Sequence, residues 1–240
     1  MSGAEWITEK INSLEGTTFK AVVESSNAVF VEREEKSSAY IGVVPTRRND
    51  SAPLVQLSAV QEVHAENNNI TMIIAIPREA RWSGAAMSWL QDQGIAFGGV
   101  GDLLSALSYD DDLSTYRNKT IMFVDNGLRR HSRVLELEWV ESRKLEVKLK
   151  NDAVITVALD DSYDITMGVA RDAARVLGEF DILLKTNPNG SITSNGREDV
   201  EHLGFRTYTW GQLLGYLAKQ GGQASNDYLR ERLRRARSAN

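Results

Sequence analysis

Hydrophobic and polar positions alternate in recognisable patterns from the first residues of the chain. Apolar residues recur at helical spacing over residues 4–15. They then alternate with polar residues over three short stretches, 18–24, 28–34 and 39–45. Spacings of three and four residues predict an amphipathic helix, whereas alternation predicts half-buried strands. We therefore expect a short helix followed by a three-stranded antiparallel meander.

The next stretch changes from alternation to longer apolar runs. The pattern predicts a helix over 53–66, a strand over 70–76, a helix over 79–92, a strand over 95–97 and a helix over 102–107. Residues 70–76 are almost uniformly apolar, which is typical of a parallel strand covered on both faces. Parallel strands need a crossover connection, and that connection is almost always right-handed.

The second part of the chain repeats this order. We expect a strand over 119–125, a turn or loop over 126–131 and three strands over 133–141, 145–150 and 153–159. A helix then begins at Asp164 or Thr166 and ends near Leu177, before Gly178. Residues 180–217 follow as strand, turn, helix, strand and helix.

Residues 70–107 and 180–217 can be superimposed without a gap. Five pairs then coincide, each 110 positions apart (for example, 204 − 94): Gly94 with Gly204, Gly101 with Gly211, Leu103 with Leu213, Leu104 with Leu214, and Leu107 with Leu217. Matching patterns at a fixed offset are the signature of a repeated supersecondary unit. The predicted fold class is therefore α/β with two similar halves, each a β-meander followed by an α-β-α-β-α unit in a mixed sheet.

This interpretation divides the chain into three regions. The first half covers residues 1–108, and the polar residues 108–118 link it to a second half over 119–220. Residues 221–240 are predicted to be a flexible joint and a basic C-terminal helix. The basic helix is either solvated or docks to a partner subunit or to phosphate.

Composition excludes several kinds of site. The 240 residues carry a net charge of −5, which argues against coating nucleic acid by bulk charge but permits a local basic patch. The chain has no cysteine and only three well-separated histidines, so a thiolate or histidine-rich metal site is not expected. No apolar run is long enough for a membrane span, and Glu5 and Glu9 stand where a signal peptide is basic or apolar. We expect a cytoplasmic protein with no membrane partner.

The order meander, helix, strand, helix, strand resembles the restriction-endonuclease-like fold. The closing stretches, residues 70–107 more than 180–217, are similar to the end of Mrr-type restriction endonuclease domains. The resemblance implies an acidic residue on one meander strand and an acidic-x-Lys motif on the next, which together hold a divalent metal. The metal would activate water and neutralise charge on the scissile phosphate.

The strands that correspond to that motif lack it. They read AYIGVVPTRR in the first half and AVITVALDD in the second. Glu146 and Lys148 have the required spacing but lie one strand too early, and such alternation is typical of a solvent-facing strand. The resemblance thus implies a nuclease-like protein that has lost its catalytic centre.

Several residues are candidates for phosphate binding. A turn at Asn187 and Asn189 directly follows the apolar strand that ends near Lys185, and open α/β sheets bind ligands at such strand ends. The alternative is a turn that only reverses the chain. Two arginine pairs complete the candidate set, Arg47 with Arg48 and Arg129 with Arg130. The predicted phosphate-binding residues are Arg47, Arg48, Arg129, Arg130, Lys185, Asn187 and Asn189.

Carboxylates near the same strand end offer a weaker alternative. Asp160, Asp161 and Asp181 could together hold Mg²⁺. The competing interpretation of the Asp160–Asp164 region is a cap for the following helix, with Asp164 as the capping residue. No other cofactor is predicted.

Three function hypotheses follow. The first is a catalytically degenerate nuclease-like protein that binds nucleic acid or nucleotide phosphate in a bacterial defence or DNA-processing system. The second is a structural or interaction module that oligomerises or binds a protein partner. The third is a metal-dependent hydrolase that uses Asp160, Asp161 and Asp181.

Overall fold

A computed structural model describes residues 1–17, 19–45, 52–194, 196 and 203–219. The chain separates into two compact units, Met1–Met122 (unit 1) and Phe123–Asn240 (unit 2). Each unit contains helices and one five-stranded mixed sheet. The predicted α/β class with mixed sheets is therefore confirmed.

Unit 1 places a mixed sheet between helices. Its strands lie in the order β1-β2-β3-β5-β7, and the first two pairings are antiparallel while the last two are parallel. A separate parallel pair joins β4 to β6. The elements are α1 (Gly3–Asn12), β1 (Phe19–Ser25), β2 (Ala28–Arg33), β3 (Ala39–Val44), β4 (Leu54–Val55), α2 (Leu57–Glu66), β5 (Ile70–Ala75), β6 (Arg81–Trp82), α3 (Gly84–Asp92), β7 (Ala96–Gly99), α4 (Val100–Tyr109) and a 3₁₀ turn (Leu113–Thr115).

The core of unit 1 explains the meander pattern. Ile7 and Ile11 of α1 are fully buried against inward-facing residues of β2, β3 and β5, such as Val31, Ile41 and Met72. The alternate residues of β1 and β2 face outward, as the two-residue period requires. The predicted strands of the first meander are confirmed to within two residues at each end.

Unit 2 contains the second mixed sheet. Its strands lie in the order β8-β9-β10-β11-β12, with two antiparallel pairings followed by two parallel ones. The remaining elements of the described residues are α5 (Lys119–Arg129), which begins in unit 1, β8 (Val134–Glu141), β9 (Lys144–Leu149), β10 (Val154–Asp160), α6 (Met167–Leu177), β11 (Ile182–Lys185), β12 (Arg206–Thr209) and α7 (Trp210–Lys219).

The predicted strand over 119–125 and the loop after it are wrong. This segment is the helix α5, because Val124 and Leu128 lie one turn apart and are both fully buried in the core of unit 2. Asn118 caps the helix, since its Oδ1 accepts hydrogen bonds from the backbone of Thr120 and Ile121. The apolar run of four residues over 121–124 is what predicts a strand from the sequence.

Two predicted helices begin later than expected. Residues 54–55 and 81–82 pair as β4 and β6, so α2 begins at Leu57 and α3 at Gly84. The expected polar link over 108–118 also differs, because Leu113 and Tyr116 are buried in the core of unit 1. These contacts join segments far apart in sequence, which local patterns do not reveal.

Hydrogen bonds from Arg33 link the end of α4 to the meander. Its side chain is 4% exposed and donates hydrogen bonds to the backbone carbonyls of Ser37, Asp110 and Asp111, at 2.6–2.8 Å. A longer contact of 3.5 Å reaches Leu107. A cation at a helix C-terminus satisfies the last carbonyl groups and interacts favourably with the helix dipole.

We expect Arg33→Met to destabilise unit 1 by about 3 kcal/mol, because one buried and three partly buried carbonyls would lose their donor. Urea unfolding monitored by circular dichroism measures this. Lys36→Met is the control, since Lys36 reaches the same helix end from the surface, through Ser108. A loss for Lys36→Met equal to that for Arg33→Met would contradict the anchoring role of Arg33.

Asp102 connects three segments of unit 1. Its carboxylate accepts hydrogen bonds from the backbone N–H of Gly99 at 2.8 Å, the Tyr116 hydroxyl and the Asn118 amide at 3.1 Å. The first bond caps α4. Burial, the hydrogen bond to Asp102 and the charge of that carboxylate raise the pKa of Tyr116 well above its usual value. The neutral phenol is therefore part of the folded state.

The raised pKa predicts how stability depends on alkaline pH. Tyr116 contributes stability that is fully present below its unfolded pKa of about 10 and is lost as the pH rises above that value. Tyr116→Phe should cost about 1–2 kcal/mol near neutral pH and should lose less stability than the parent protein between pH 9 and 11. Chemical unfolding at a series of pH values tests this, and parallel pH profiles of the two proteins would contradict it.

Candidate functional site

The parallel pair β3 and β5 ends at one edge of the unit 1 sheet. β3 ends at Val44 and β5 at Ala75, and these two residues are register partners. Carboxyl ends of parallel strands are where open α/β sheets bind ligands. A cleft of about 450 Å³ lies at this edge. We call it the cleft below.

Three segments form the walls of the cleft. The first turn of α1 contributes Trp6, the turn between β1 and β2 contributes Asn27, and the strand ends contribute Val44, Pro45 and Ile76. Most of this lining is apolar, although the Trp6 side chain remains 38% exposed. A mostly apolar surface with a few polar groups is typical of a small-molecule site.

The amino end of α1 also borders the cleft but is already capped. The Ser2 hydroxyl accepts the backbone N–H of Glu5 at 3.1 Å, and the Glu5 carboxylate accepts the backbone N–H of Ser2 at 2.6 Å. This capping box satisfies donors that would otherwise attract an anion. A Cβ on Gly3 would lie 2.9 Å from Val43 and 3.0 Å from Ile76, so the helix approaches the sheet closely there. The helix end therefore acts as a wall.

Asn27 is the polar group with a fixed orientation in the cleft. Its Nδ2 donates to Glu66 at 2.7 Å, and its backbone oxygen accepts from Val43 at 2.7 Å. The same Glu66 carboxylate accepts from the Ser25 hydroxyl at 3.0 Å. Because the amide nitrogen of Asn27 faces Glu66, the amide Oδ1 is turned away from that carboxylate.

The structure does not assemble the predicted phosphate-binding set. Arg47 and Arg48 lie outside the described residues, two and three positions after Pro45. Arg129 and Arg130 lie at the end of α5, just before β8. Since β8 runs parallel to β10 and β11, this is the edge where those strands begin. Lys185, Asn187 and Asn189 lie at the opposite edge of the same sheet.

Arg129 is also engaged by an acidic neighbour. Its Nε donates to Asp125 at 2.7 Å, and the other oxygen of Asp125 accepts from the Trp139 indole at 3.0 Å. Arg129 remains exposed, so the ion pair is a surface contact of small energetic value.

Lys185 holds the loop that follows β11. Its side chain is 4% exposed, and its ammonium donates to the backbone carbonyls of Asn187 and Asn189. Asn187 in turn donates its Nδ2 to Asp161 at 3.1 Å and accepts the backbone N–H of Asn189 at 2.9 Å. These contacts favour a structural role, and phosphate binding by the three residues stays a prediction.

The loop is closed further by Gly190. Its φ is +73°, and a Cβ there would lie 1.9 Å from the carbonyl oxygen of Tyr163. Only glycine fits so close to that backbone. Residues 160–165 and 186–191 are therefore packed against each other at the carboxyl edge of unit 2.

The three predicted metal-binding carboxylates do not meet. Asp160 is 6% exposed at the end of β10, where its carboxylate binds Arg143 and the backbone N–H of Ser162, both at 2.9–3.0 Å. Asp181 precedes β11 at the other end of the sheet, and accepts from the Thr156 backbone at 2.8 Å. Within the described parts of the chain, no group of three or more acidic or histidine side chains could hold a metal ion. The expected arrangement of Asp160, Asp161 and Asp181 is thus not formed.

Asp164 also differs from its predicted role. Thr166 caps α6, because its hydroxyl accepts the backbone N–H of Val169 at 3.3 Å. Asp164 instead accepts the backbone N–H and the hydroxyl of Ser191, at 2.6 and 3.0 Å. It therefore joins the two loops at the carboxyl edge of unit 2.

We expect Lys185→Met to lower the stability of unit 2 by about 1–3 kcal/mol, because two backbone carbonyls would lose a charged donor. Urea unfolding measures this loss. Lys150→Met, at an exposed position, removes the same charge and should change stability by less than about 0.5 kcal/mol. Unchanged stability in Lys185→Met, together with weaker nucleic-acid binding, would instead support its predicted role in phosphate binding.

Sequence patterns did not indicate the cleft itself. Trp6 and Asn27 lie in a helix and a turn that look ordinary in isolation, and the strand ends reach them only in the folded unit. The one available signal was the apolar strand that ends at Pro45, ahead of two arginines.

Comparisons of the chain with protein-family models, with curated proteins and with solved structures found no match. Among the helices that the structure describes, none has the length and apolar character needed to cross a membrane.

Proposed function

We propose that the chain binds nucleic acid or nucleotide phosphate at the cleft of unit 1, and that it is a nuclease-like protein without a nuclease centre. The cleft carries this proposal, because it lies at the carboxyl ends of β3 and β5, and in sequence Arg47 and Arg48 follow its lining residue Pro45. An apolar cleft and two cations close to it in sequence suit a ligand with an uncharged part and an anionic part.

The order of elements supports a nuclease-like fold. Each unit has a helix, a three-stranded meander, a second helix and a strand parallel to the third meander strand. This is the order that the restriction-endonuclease-like resemblance implies. β3 contains no acidic residue, and Glu146 is exposed on β9 with Lys148 on the same face. These placements support the loss of the metal centre.

A common origin of the two units by duplication is part of the proposal. Phe30 pairs with Tyr40 in unit 1, and Glu146 pairs with Thr156 in unit 2. Both residues of the second pair lie 116 positions after their counterparts (146 − 30 and 156 − 40). The helices α4 and α7 have the same length and lie 110 positions apart (210 − 100).

Hydrogen bonds at helix caps and turns support the same correspondence. The Ser83 hydroxyl accepts the backbone N–H of Ala86, and the Thr193 hydroxyl accepts that of Gly196, again 110 positions later (193 − 83). The backbone bond from Val43 to Asn27 reappears as that from Leu159 to Arg143, 116 positions later (159 − 43). Side chains differ at most of these positions while the backbone bonds recur.

Corresponding residues of the two units lie 116 positions apart in the meanders but 110 positions apart in the later helices. This change reflects six extra residues between β3 and α2 of unit 1. That connection comprises residues 45–56, whereas residues 161–166 suffice between β10 and α6. The longer connection contains Arg47 and Arg48. Insertions in loops at a binding edge commonly carry function.

The correspondence also assigns binding to unit 1. Asn27, Val44 and Ile76 of the cleft correspond to Arg143, Asp160 and Thr186 of unit 2. In unit 2 the residues at these positions bind one another. Arg143 forms an ion pair with Asp160, and the backbone N–H of Thr186 donates to the Asp160 carbonyl at 2.8 Å. Their polar groups are satisfied within the unit.

Binding of labelled single- and double-stranded oligonucleotides across a salt series tests this function. We expect affinity to fall as salt rises, because cations released from phosphate drive binding. Arg47→Ala with Arg48→Ala should reduce the slope of log affinity against log salt by roughly 1.4 for single strands.

The matched control is Arg171→Ala with Arg175→Ala, which removes two exposed arginines from α6. This variant should keep the slope of the parent protein. Absence of binding to every oligonucleotide, or an equal effect of both double variants, would contradict the proposal. Cleavage in the presence of Mg²⁺ would contradict the loss of the nuclease centre.

A second function, protein association, has one observation in its favour. Val22, Phe30 and Tyr40 form a row across β1, β2 and β3 on the face of the unit 1 sheet opposite α1, and Val22 is 47% exposed. Exposed apolar rows are typical of association surfaces. Light scattering over a range of concentrations would favour this function if assembly occurs without nucleic-acid binding.

A further inference from the structure

We infer that the cleft of unit 1 receives a single unpaired nucleobase, so that the preferred ligand is single-stranded nucleic acid or a mononucleotide rather than a duplex. This inference depends on the proposed function and specifies its ligand. It follows from the chemistry of the cleft walls and from the groups that border them.

The walls suit a flat uncharged ring. Trp6 presents a partly exposed indole, and Val44 and Ile76 supply an aliphatic floor at the strand ends. Pro45 adds an exposed ring at the rim. At about 450 Å³ the cleft lies within the usual range of small-ligand sites, roughly 300–1,000 Å³. Every nucleobase has a π-face that stacks on an aromatic side chain, whatever the sequence.

The polar edge of the cleft suits the edge of a base. Asn27 is held by Glu66 through its amide nitrogen, so the amide orientation is set before a ligand arrives. Its Oδ1 can accept a hydrogen bond from a ring or exocyclic N–H of a base. A positioned acceptor of this kind loses little entropy on binding.

Charge distinguishes the base from the phosphate of such a ligand. Among the described lining residues of the cleft none has a charged side chain, and the α-amino group of Met1 lies 3.7 Å from the Glu5 carboxylate. In sequence, the cationic residues Arg47 and Arg48 follow the lining residue Pro45. A nucleotide joins an uncharged ring to an anion, so the ring suits the apolar lining and the anion would need those cations.

A duplex does not offer a free base to such a cleft. Its bases are stacked on both faces and paired at their edges, and extruding one costs a few kcal/mol. Single strands and mononucleotides avoid that cost. The cleft therefore predicts a preference for unpaired bases beyond the electrostatic attraction that any phosphate chain would feel.

The decisive experiment compares two single strands of equal length and charge, one with bases and one in which every nucleotide is abasic. Fluorescence anisotropy at fixed salt measures both affinities. We expect the strand with bases to bind at least about tenfold more tightly, since stacking of one base commonly contributes this much. A duplex of the same length should bind less tightly than the single strand.

Variants of the cleft identify the source of the preference. Trp6→Ala should remove the advantage of bases, and Trp6→Phe should keep most of it because a stacking surface remains. Ser26→Leu, at an exposed position on the rim, should also reduce the advantage by partly filling the cleft without adding an aromatic surface. Tyr109→Ala is the aromatic control, because Tyr109 is 81% exposed and lies outside the cleft.

The outcomes separate the inference from the proposed function. Equal binding of both strands, with a salt slope that still depends on Arg47 and Arg48, would overturn the inference and leave phosphate binding intact. Failure of both strands to bind would overturn both. A loss of base preference in Tyr109→Ala equal to that in Trp6→Ala would also overturn the role of the cleft.

Discussion

The parallel pairing of the third meander strand with the strand that follows it determines how each unit is built. β3 with β5, and β10 with β11, run in the same direction, so a connection must return across one face of the sheet. α2 and α6 form these connections, and the strands become apolar on both faces. The same pairing brings two strand ends to one edge, where side chains from separate segments can meet.

The two units differ in the side chains that fill that edge. In unit 2, Asp160 and Lys185 are buried. Asp160 forms an ion pair with Arg143, and Lys185 donates hydrogen bonds to nearby backbone carbonyls. Buried charges of this kind are tolerated only when their hydrogen-bonding groups are satisfied. In unit 1, the edge at the ends of β3 and β5 is lined by Val44, Pro45 and Ile76 together with Trp6 and Asn27, and a cleft lies there. The side chains at the two edges therefore distinguish an edge that is filled by ion pairs from an edge that contains a cleft.

Sequence patterns predicted the strands well where one face is buried and the other exposed. Ala21 and Val31 each lie between less buried neighbours, so β1 and β2 could be placed almost to the residue. α5 was missed because its residues Ile121, Met122 and Phe123 form an apolar run, while only Val124 and Leu128 among its residues are fully buried. β4 and β6 contain two residues each and depend entirely on a distant partner. The cleft has the same origin, because its walls come from α1, a hairpin turn and two strand ends.

The position of Arg33 has a consequence for the newly made chain on the ribosome. Its carbonyl partners Asp110 and Asp111 follow it by 77 and 78 residues. At roughly 5–20 residues per second, the ribosome needs about 4–16 s to add that stretch. During this interval the meander has been synthesised but its arginine has no helix end to bind. The first unit can therefore complete its native contacts only after α4 has emerged, which makes this interval the one in which chaperones would meet an incomplete sheet.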